Sequence, residues 1–202
     1  FRIFNSDSSQ TVGNGTSGVY IYGAQLEQGS YATSYIPTQG SAVTRVADVC
    51  NNGGNEQVIN STEGVLYAEI SALADDLTFR TITLSDGTTN NNVGFGYRNN
   101  SNVIYTFLTT NSILSINSSS LVTVNDIESI NKVAIKYKSG DFQMWINGVK
   151  VYTSTNAFTL SGLSELSFDN GSGEAPFYGN VKDVRLYNTA LTDAELIALT
   201  TI

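Results

Sequence analysis

The sequence predicts an all-β fold, an antiparallel β-sandwich closed by a short C-terminal helix. Three observations predict it. Short apolar and aromatic runs recur at close spacing from residue 64 onward, each bounded by Gly, Asn, Ser or Asp. The composition suits strands and polar turns, with 18 Gly, 11 Tyr and 9 Phe in 202 residues and 41% hydrophobic content. The end of the chain changes period: Val184 and Leu186 alternate with Asp183, Arg185 and Tyr187. A capping box, Thr192-Asp-Ala-Glu195, then opens a helix.

The strands follow in order. Gly64–Ile70 is the first run of the main body, and Phe79–Leu84 is the second, closed by the turn Ser85-Asp-Gly87. Val93–Tyr97 and Val103–Leu108 flank the turn Arg98–Asn102, and Ile113–Ile116 is a weaker run. Val133–Tyr137 and Phe142–Ile146 flank Lys138–Asp141. The dipeptide Asn147-Gly148 then predicts a tight hairpin into Val149–Tyr152. Leu163–Phe168 and Val181–Tyr187 complete the set. Ahead of this body, Phe1–Phe4 and Gly18–Leu26 read as a strand pair around a turn-rich loop. Pro37, Gly40 and their Ser and Thr neighbours read as an extended linker. The domain boundaries are therefore placed at 1–44 for strand pair and linker and 45–202 for the sandwich.

Two phrases carry a family resemblance. The segment Phe177-Tyr-Gly-Asn-Val-Lys-Asp-Val-Arg-Leu-Tyr-Asn188, with the capped helix after it, resembles the close of laminin-G-like and concanavalin A-like jelly-roll sandwiches. Glu63–Glu69, Leu84–Gly87 and Trp145–Val149 look like the same group, so the resemblance covers most of 61–202. The phrase Gly23-Ala-Gln-Leu-Glu-Gln-Gly-Ser-Tyr-Ala-Thr-Ser-Tyr-Ile-Pro-Thr38, followed by Thr44-Arg-Val-Ala-Asp48, resembles a particular junction in phage and prophage tail proteins. There the end of a carbohydrate-binding-module-like jelly roll leads into a laminin-G-like domain. The resemblance implies a preceding jelly roll, a virion or extracellular location, contacts with other virion or tail proteins, and a homotrimer.

Composition narrows the chemistry. Net charge is −8 with only ten Lys and Arg, and no basic patch is evident, which argues against nucleic-acid partners. No run approaches the apolar length of a membrane-spanning helix. Cys50 is the single cysteine, so no intrachain disulfide forms. Phe1 is not an initiator Met and no leader pattern follows, so the chain reads as a piece of a longer product.

The chain has no His, which excludes Ser-His-Asp and Cys-His catalysis and leaves zinc without its usual ligands. Glycoside hydrolysis needs two carboxylates facing one cleft. The glucanases of this fold carry them on one strand as E-x-D-x-x-E or E-x-D-x-E, and neither pattern occurs. Glu165 and Asp169 share strand parity but not that spacing. The chain is therefore expected to be no enzyme.

Glycan binding remains. Sugars present apolar C–H faces ringed by hydroxyls, so a site needs an exposed aromatic platform and planar amides or carboxylates. Trp145 is the first candidate, because Gln143 and Asn147 share its strand face while Phe142, Met144 and Ile146 point the other way. Tyr97 and Tyr105 are further platform candidates, and Arg80 is a ligand contact or a solvated surface ion-pair partner for Asp76 or Asp86. Calcium sites are common in the superfamily. Asp169-Asn-Gly-Ser-Gly-Glu174, rich in oxygen donors, makes Asp169, Asn170 and Glu174 the expected ligands. The expectation is a non-catalytic, glycan-binding domain of a phage tail or virion protein that recognises cell-surface or extracellular polysaccharide. The alternatives are a structural domain acting by protein contacts and an accessory module of a secreted polysaccharide-degrading enzyme.

Overall fold

The computed structural model describes residues 22–26, 34–38, 40–44, 53–118 and 122–202. The chain divides into two units, 1–46 and 47–202. In the first unit Gln25 ties two segments together: its Oε1 accepts from the Ile36 amide at 2.7 Å and its Nε2 donates to the Ser34 carbonyl at 3.4 Å. Tyr22 and Tyr35 rings sit 5.7 Å apart. The expected strand Gly18–Leu26 is not one over its described part, because Gly23 turns to φ +70° and breaks the extended run. The expected strand at 1–4, the stretch 45–48 and Cys50 lie outside the described residues.

The second unit is the sandwich. Its strands are β1 (Glu63–Ala72), β2 (Arg80–Ser85), β3 (Asn92–Tyr97), β4 (Ile104–Thr110), β5 (Ile113–Asn117), β6 (Asn131–Lys138), β7 (Phe142–Ile146), β8 (Val149–Ser154), β9 (Glu165–Ser167) and β10 (Gly179–Tyr187), with helix α1 at Asp193–Thr200. One sheet runs β10-β1-β6-β7-β8 and the other β5-β4-β3-β2-β9, with every pairing antiparallel. Each expected strand of the sandwich is present. The run at 163–168 shortens to β9, because Phe168 leaves the ladder to accept from the Phe177 amide.

The core between the sheets follows the pleat. Leu66, Ala68 and Ile70 of β1 meet Ile82 and Leu84 of β2, Val93, Phe95 and Tyr97 of β3, and Phe142, Met144 and Ile146 of β7. A second cluster lies on the far face of the first sheet: Val65, Tyr67, Ala134 and Trp145 pack against Leu196 of α1. The helix is held at its start by the expected capping box. Thr192 Oγ1 accepts from the Glu195 amide at 3.4 Å, and the Glu195 carboxylate accepts from the Thr192 amide at 2.8 Å.

Ion pairs across the surface set the acid limit. The carboxylates of Glu63, Glu69, Asp141 and Asp193 are held below the usual carboxylate range by hydrogen bonds from Lys138, Lys182, Lys136 and Lys150 respectively. A depressed carboxylate contributes stability that is present above its unfolded-state value, about pH 4, and lost as pH falls through the folded one. Burial raises the phenols of Tyr67, Tyr97 and Tyr137, so their contribution is lost as pH rises above about 10. With no His in the chain, the melting temperature is expected to stay flat between about pH 5 and 8 and to fall on both sides. A thermal melt series across pH checks this; a step near pH 6.5 contradicts it.

Candidate functional site

The outward face of the β5-β4-β3-β2-β9 sheet differs from the others in composition. Because Val93, Phe95 and Tyr97 point into the core, Asn92, Gly94 and Gly96 point out. Register places Thr81, Gly96 and Tyr105 in one row across the sheet. The next row is Ser167, Thr83, Gly94 and Phe107, and the one after it is Glu165, Ser85, Asn92 and Thr109. The floor is therefore small and hydroxylated along β2, bare along β3 and aromatic along β4.

The two glycines are required by close approach. A Cβ on Gly94 would lie 2.5 Å from the Ile82 carbonyl oxygen and 3.0 Å from the Phe107 ring, and one on Gly96 would overlap the Arg80 carbonyl oxygen. Their bareness lets the β4 rings sit low beside the sheet. Tyr105 and Phe107 stack at 5.5 Å. Phe79, just ahead of β2, meets Tyr105 edge-on at 6.0 Å and is 38% exposed. Arg98, just after β3, completes the group: its guanidinium stands 5.6 Å from the Phe79 ring and 5.5 Å from the Tyr105 ring. Burial pushes the Tyr105 phenol up to about 12, with the Arg98 charge pulling the other way. Phe79, Tyr105 and Arg98 thus form a half-open shelf at one end of the face.

The opposite end is closed by the loop after β9. Gly171 packs on Ser85, and Asn92 Nδ2 donates to the Asn170 carbonyl at 3.3 Å. A cavity of about 290 Å³ lies there, lined by Gly87, Glu165, Ser167, Asp169 and Ser172 among others. Glu165 and Asp169 both line it, but Asp169 lies beyond β9, so the shared strand parity expected for the two does not apply. Asp169 Oδ1 accepts from the Gly171 amide at 2.7 Å. Asn170 Oδ1 accepts from the Ser172 and Glu174 amides at 3.0 and 3.2 Å. These oxygens serve turn geometry. Among the described residues no group of three or more Asp, Glu, Cys or His is arranged to hold a metal ion.

Trp145 is not an exposed platform. The strand parity expected for it holds, but the face it occupies is roofed by α1, leaving the side chain 3% exposed. Its Nε1 donates to Gln143 Oε1 at 2.9 Å, Gln143 in turn donates to Asp141, and a bulge in β8 places Lys150 opposite it, 5.1 Å from the ring. Gln143 is buried with it. Asn147 turns the β7–β8 hairpin at φ +50°, and its side chain is spent on Lys132 and Asn131. Tyr97 is buried in the core and stacks on Phe177 at 5.5 Å. Arg80 shares the core parity of Ile82 and Leu84. It is 1% exposed, and it bonds Asp76 at 2.5 Å and the Ala74 carbonyl at 3.3 Å, so it pairs with the first of its two expected partners but not at the surface. Of the ring and guanidinium candidates, Tyr105 alone stands on the half-open shelf, and it is half-buried there. Phe79, Arg98 and Phe107 were not singled out in the sequence; the Gly-Phe-Gly alternation at 94–96, which strips one sheet face bare, is the signal that points to their surroundings.

The sequence model of the concanavalin A-like lectin/glucanases superfamily (Laminin_G_3) matches residues 66–197. No curated protein sequence matches the chain. Among solved structures, domain 4 of AbnA, a GH43 extracellular arabinanase from Geobacillus stearothermophilus in complex with arabinotriose, superposes with TM-score 0.60. It is 15% identical, covering 73% of this chain and 70% of that one. The CBM40 of Ruminococcus gnavus IT-sialidase bound to α2,3-sialyllactose superposes at 0.59 and 17% identity, covering 77% and 96%. A heptameric SAP-like pentraxin from Limulus polyphemus superposes at 0.55 and 12% identity, covering 73% and 72%. At these identities the likeness establishes a common fold. With two five-stranded antiparallel sheets, a capped C-terminal helix and a family match over most of its length, the chain belongs to the concanavalin A-like lectin/glucanases superfamily.

Proposed function

We propose that the domain binds glycan without catalysis, on the outward face of the β5-β4-β3-β2-β9 sheet, at the shelf of Phe79, Tyr105 and Arg98. The observation that carries this reading is a half-open aromatic shelf with a cation at its centre, at the edge of a small, hydroxylated sheet face whose Thr81, Thr83 and Ser85 are themselves buried. Ring faces take the C–H side of a sugar, and the guanidinium donates to its oxygens. The carbohydrate-binding modules among the fold neighbours support it. The absence of His from the sequence supports a non-catalytic role.

The setting is that of a phage tail or virion protein recognising cell-surface polysaccharide, supported by the junction phrase Gly23–Thr38. An accessory module of a secreted polysaccharide-degrading enzyme is the second setting, supported by the arabinanase domain. A contact role has its own observation: Ile130, Val149 and Ile202 are 40%, 60% and 78% exposed around a cavity of about 480 Å³, an apolar patch fit for protein contact.

Calorimetric titration with a panel of bacterial, plant and algal saccharides, with and without chelator, tests the glycan reading. Phe79→Ala and Tyr105→Ala are each expected to weaken the binding saccharide about tenfold, the equivalent of about 1.4 kcal/mol for one lost ring contact. Unchanged affinity in both variants, or no binding by any saccharide, removes the reading.

A further inference from the structure

Cations are scarce in this chain, and among the described residues almost all are ion-paired. Of its ten Lys and Arg, Arg2 and Arg45 lie outside the described residues. Of the remaining eight, seven are ion-paired: Arg80, Lys132, Lys136, Lys138, Lys150, Lys182 and Arg185. Arg98 is the exception among the described residues. Only its backbone amide makes a hydrogen bond, to the Val103 carbonyl at 3.3 Å, and its guanidinium contacts are the two rings. In a chain with 18 Asp and Glu, a guanidinium without a carboxylate stands apart. The rings of Phe79 and Tyr105 limit its motion and leave its N–H edges without protein acceptors.

The neighbouring acids do not answer it. Asp76 is engaged with Arg80; Asp75 Oδ2 accepts from Ser101 Oγ at 2.5 Å and from the Asn102 amide at 3.1 Å, and its Oδ1 is buried without a partner, not paired with Arg98. A planar carboxylate is the acceptor that a fixed guanidinium fork matches with two parallel hydrogen bonds. A sugar hydroxyl matches it with one.

We propose that Arg98 makes the shelf selective for saccharides that carry a carboxylate, such as uronic-acid polymers and other sugar acids, with Phe79 and Tyr105 holding the ring of the acidic residue. This rests on the glycan reading and narrows it. The net charge of −8 repels an acidic polymer from the surface at large, which favours the one place among the described residues where an unpaired cation stands.

The test uses the chain as it stands, titrated calorimetrically with oligogalacturonate, oligoalginate, hyaluronan oligosaccharide and sialyllactose. Each is paired with its methyl ester, alongside neutral galactan and dextran sulfate. The expected result is that at least one acid binds and that its ester binds about tenfold to a hundredfold more weakly, the range of a charge-assisted hydrogen bond. Arg98→Gln should weaken the acid by more than it weakens the ester, so that the difference between the two closes, with Arg98→Lys in between. Circular dichroism of both variants confirms that they fold.

Neutral galactan binding as well as the acids, with Arg98→Gln lowering both alike, overturns the proposal. So does dextran sulfate binding as tightly as the carboxylates, which marks a general anion site. If neutral saccharides alone bind and Phe79→Ala abolishes that binding, the glycan reading stands and the carboxylate preference falls. If no saccharide binds, both fall.

Discussion

Trp145→Ala is expected to lower the unfolding free energy by about 3–5 kcal/mol, the usual cost of emptying a large aromatic site. The effect is this large because Trp145 packs between the sheet and the helix that roofs it. It lies on β7, pairs through its Nε1 with Gln143, and fills the space under Leu196 of α1. Removing it opens the contact between helix and sheet and strips the apolar face from under Lys150, whose ammonium also bonds Asp193 of the helix at 2.5 Å. The measurement is urea unfolding followed by far-ultraviolet circular dichroism, since the substitution deletes the only Trp. The molecules that remain folded should bind saccharide as before, because the shelf lies on the other sheet. A stable variant that has lost binding would instead restore Trp145 as a ligand platform.

Gly96→Ala is expected to cost about 3 kcal/mol, the upper end of the overpacking range, or to prevent accumulation of folded protein altogether. The added methyl group would overlap the Arg80 carbonyl oxygen and lie 2.8 Å from both the Arg80 carbonyl carbon and the Thr81 Cα. All three are backbone atoms in the middle of a sheet, so no side chain can swing away to make room. Soluble yield and the urea midpoint read the effect. Gly94→Ala should be milder, because one of its three contacts is the edge of the Phe107 ring. A neutral outcome at Gly96 would mean that the β2–β3 ladder yields more readily than a paired central strand should.

The strands of the sandwich were legible because each carries its own period-2 pattern and ends in Gly, Asn or Ser turns; the tight turn at Asn147-Gly148 and the capping box are local chemistry that needs no tertiary partner. Parity on β7 was legible for the same reason. What parity does not carry is the identity of the layer above a face. Gln143, Trp145 and Asn147 read as an open polar strip, but α1, more than forty residues on, covers Trp145. Arg80 misled in the opposite sense. A charge at the start of an apolar strand suggests solvent, yet its core-facing parity and the nearby Asp76 and Ala74 carbonyl let it stay inside. The shelf was half legible. Tyr105 stood out as an aromatic, but Phe79 and Arg98 become neighbours only through the β2–β3–β4 register.

The pairing of β1 with β10 has a consequence for how the domain is made. Val65 at the start of the sandwich hydrogen-bonds into the ladder opposite Tyr187, near its end. β2 likewise waits for β9. Contacts this distant along the chain make for slow folding, and a ribosome-bound chain lacking 179–200 has neither the outer partner of β1, which keeps only β6, nor the cover over Trp145. Until those residues emerge, an apolar strand edge and an indole remain open to neighbouring chains. The sandwich is therefore completed only once its final strand and helix are in place, and truncation in the last two dozen residues should send the product to aggregates or proteolysis.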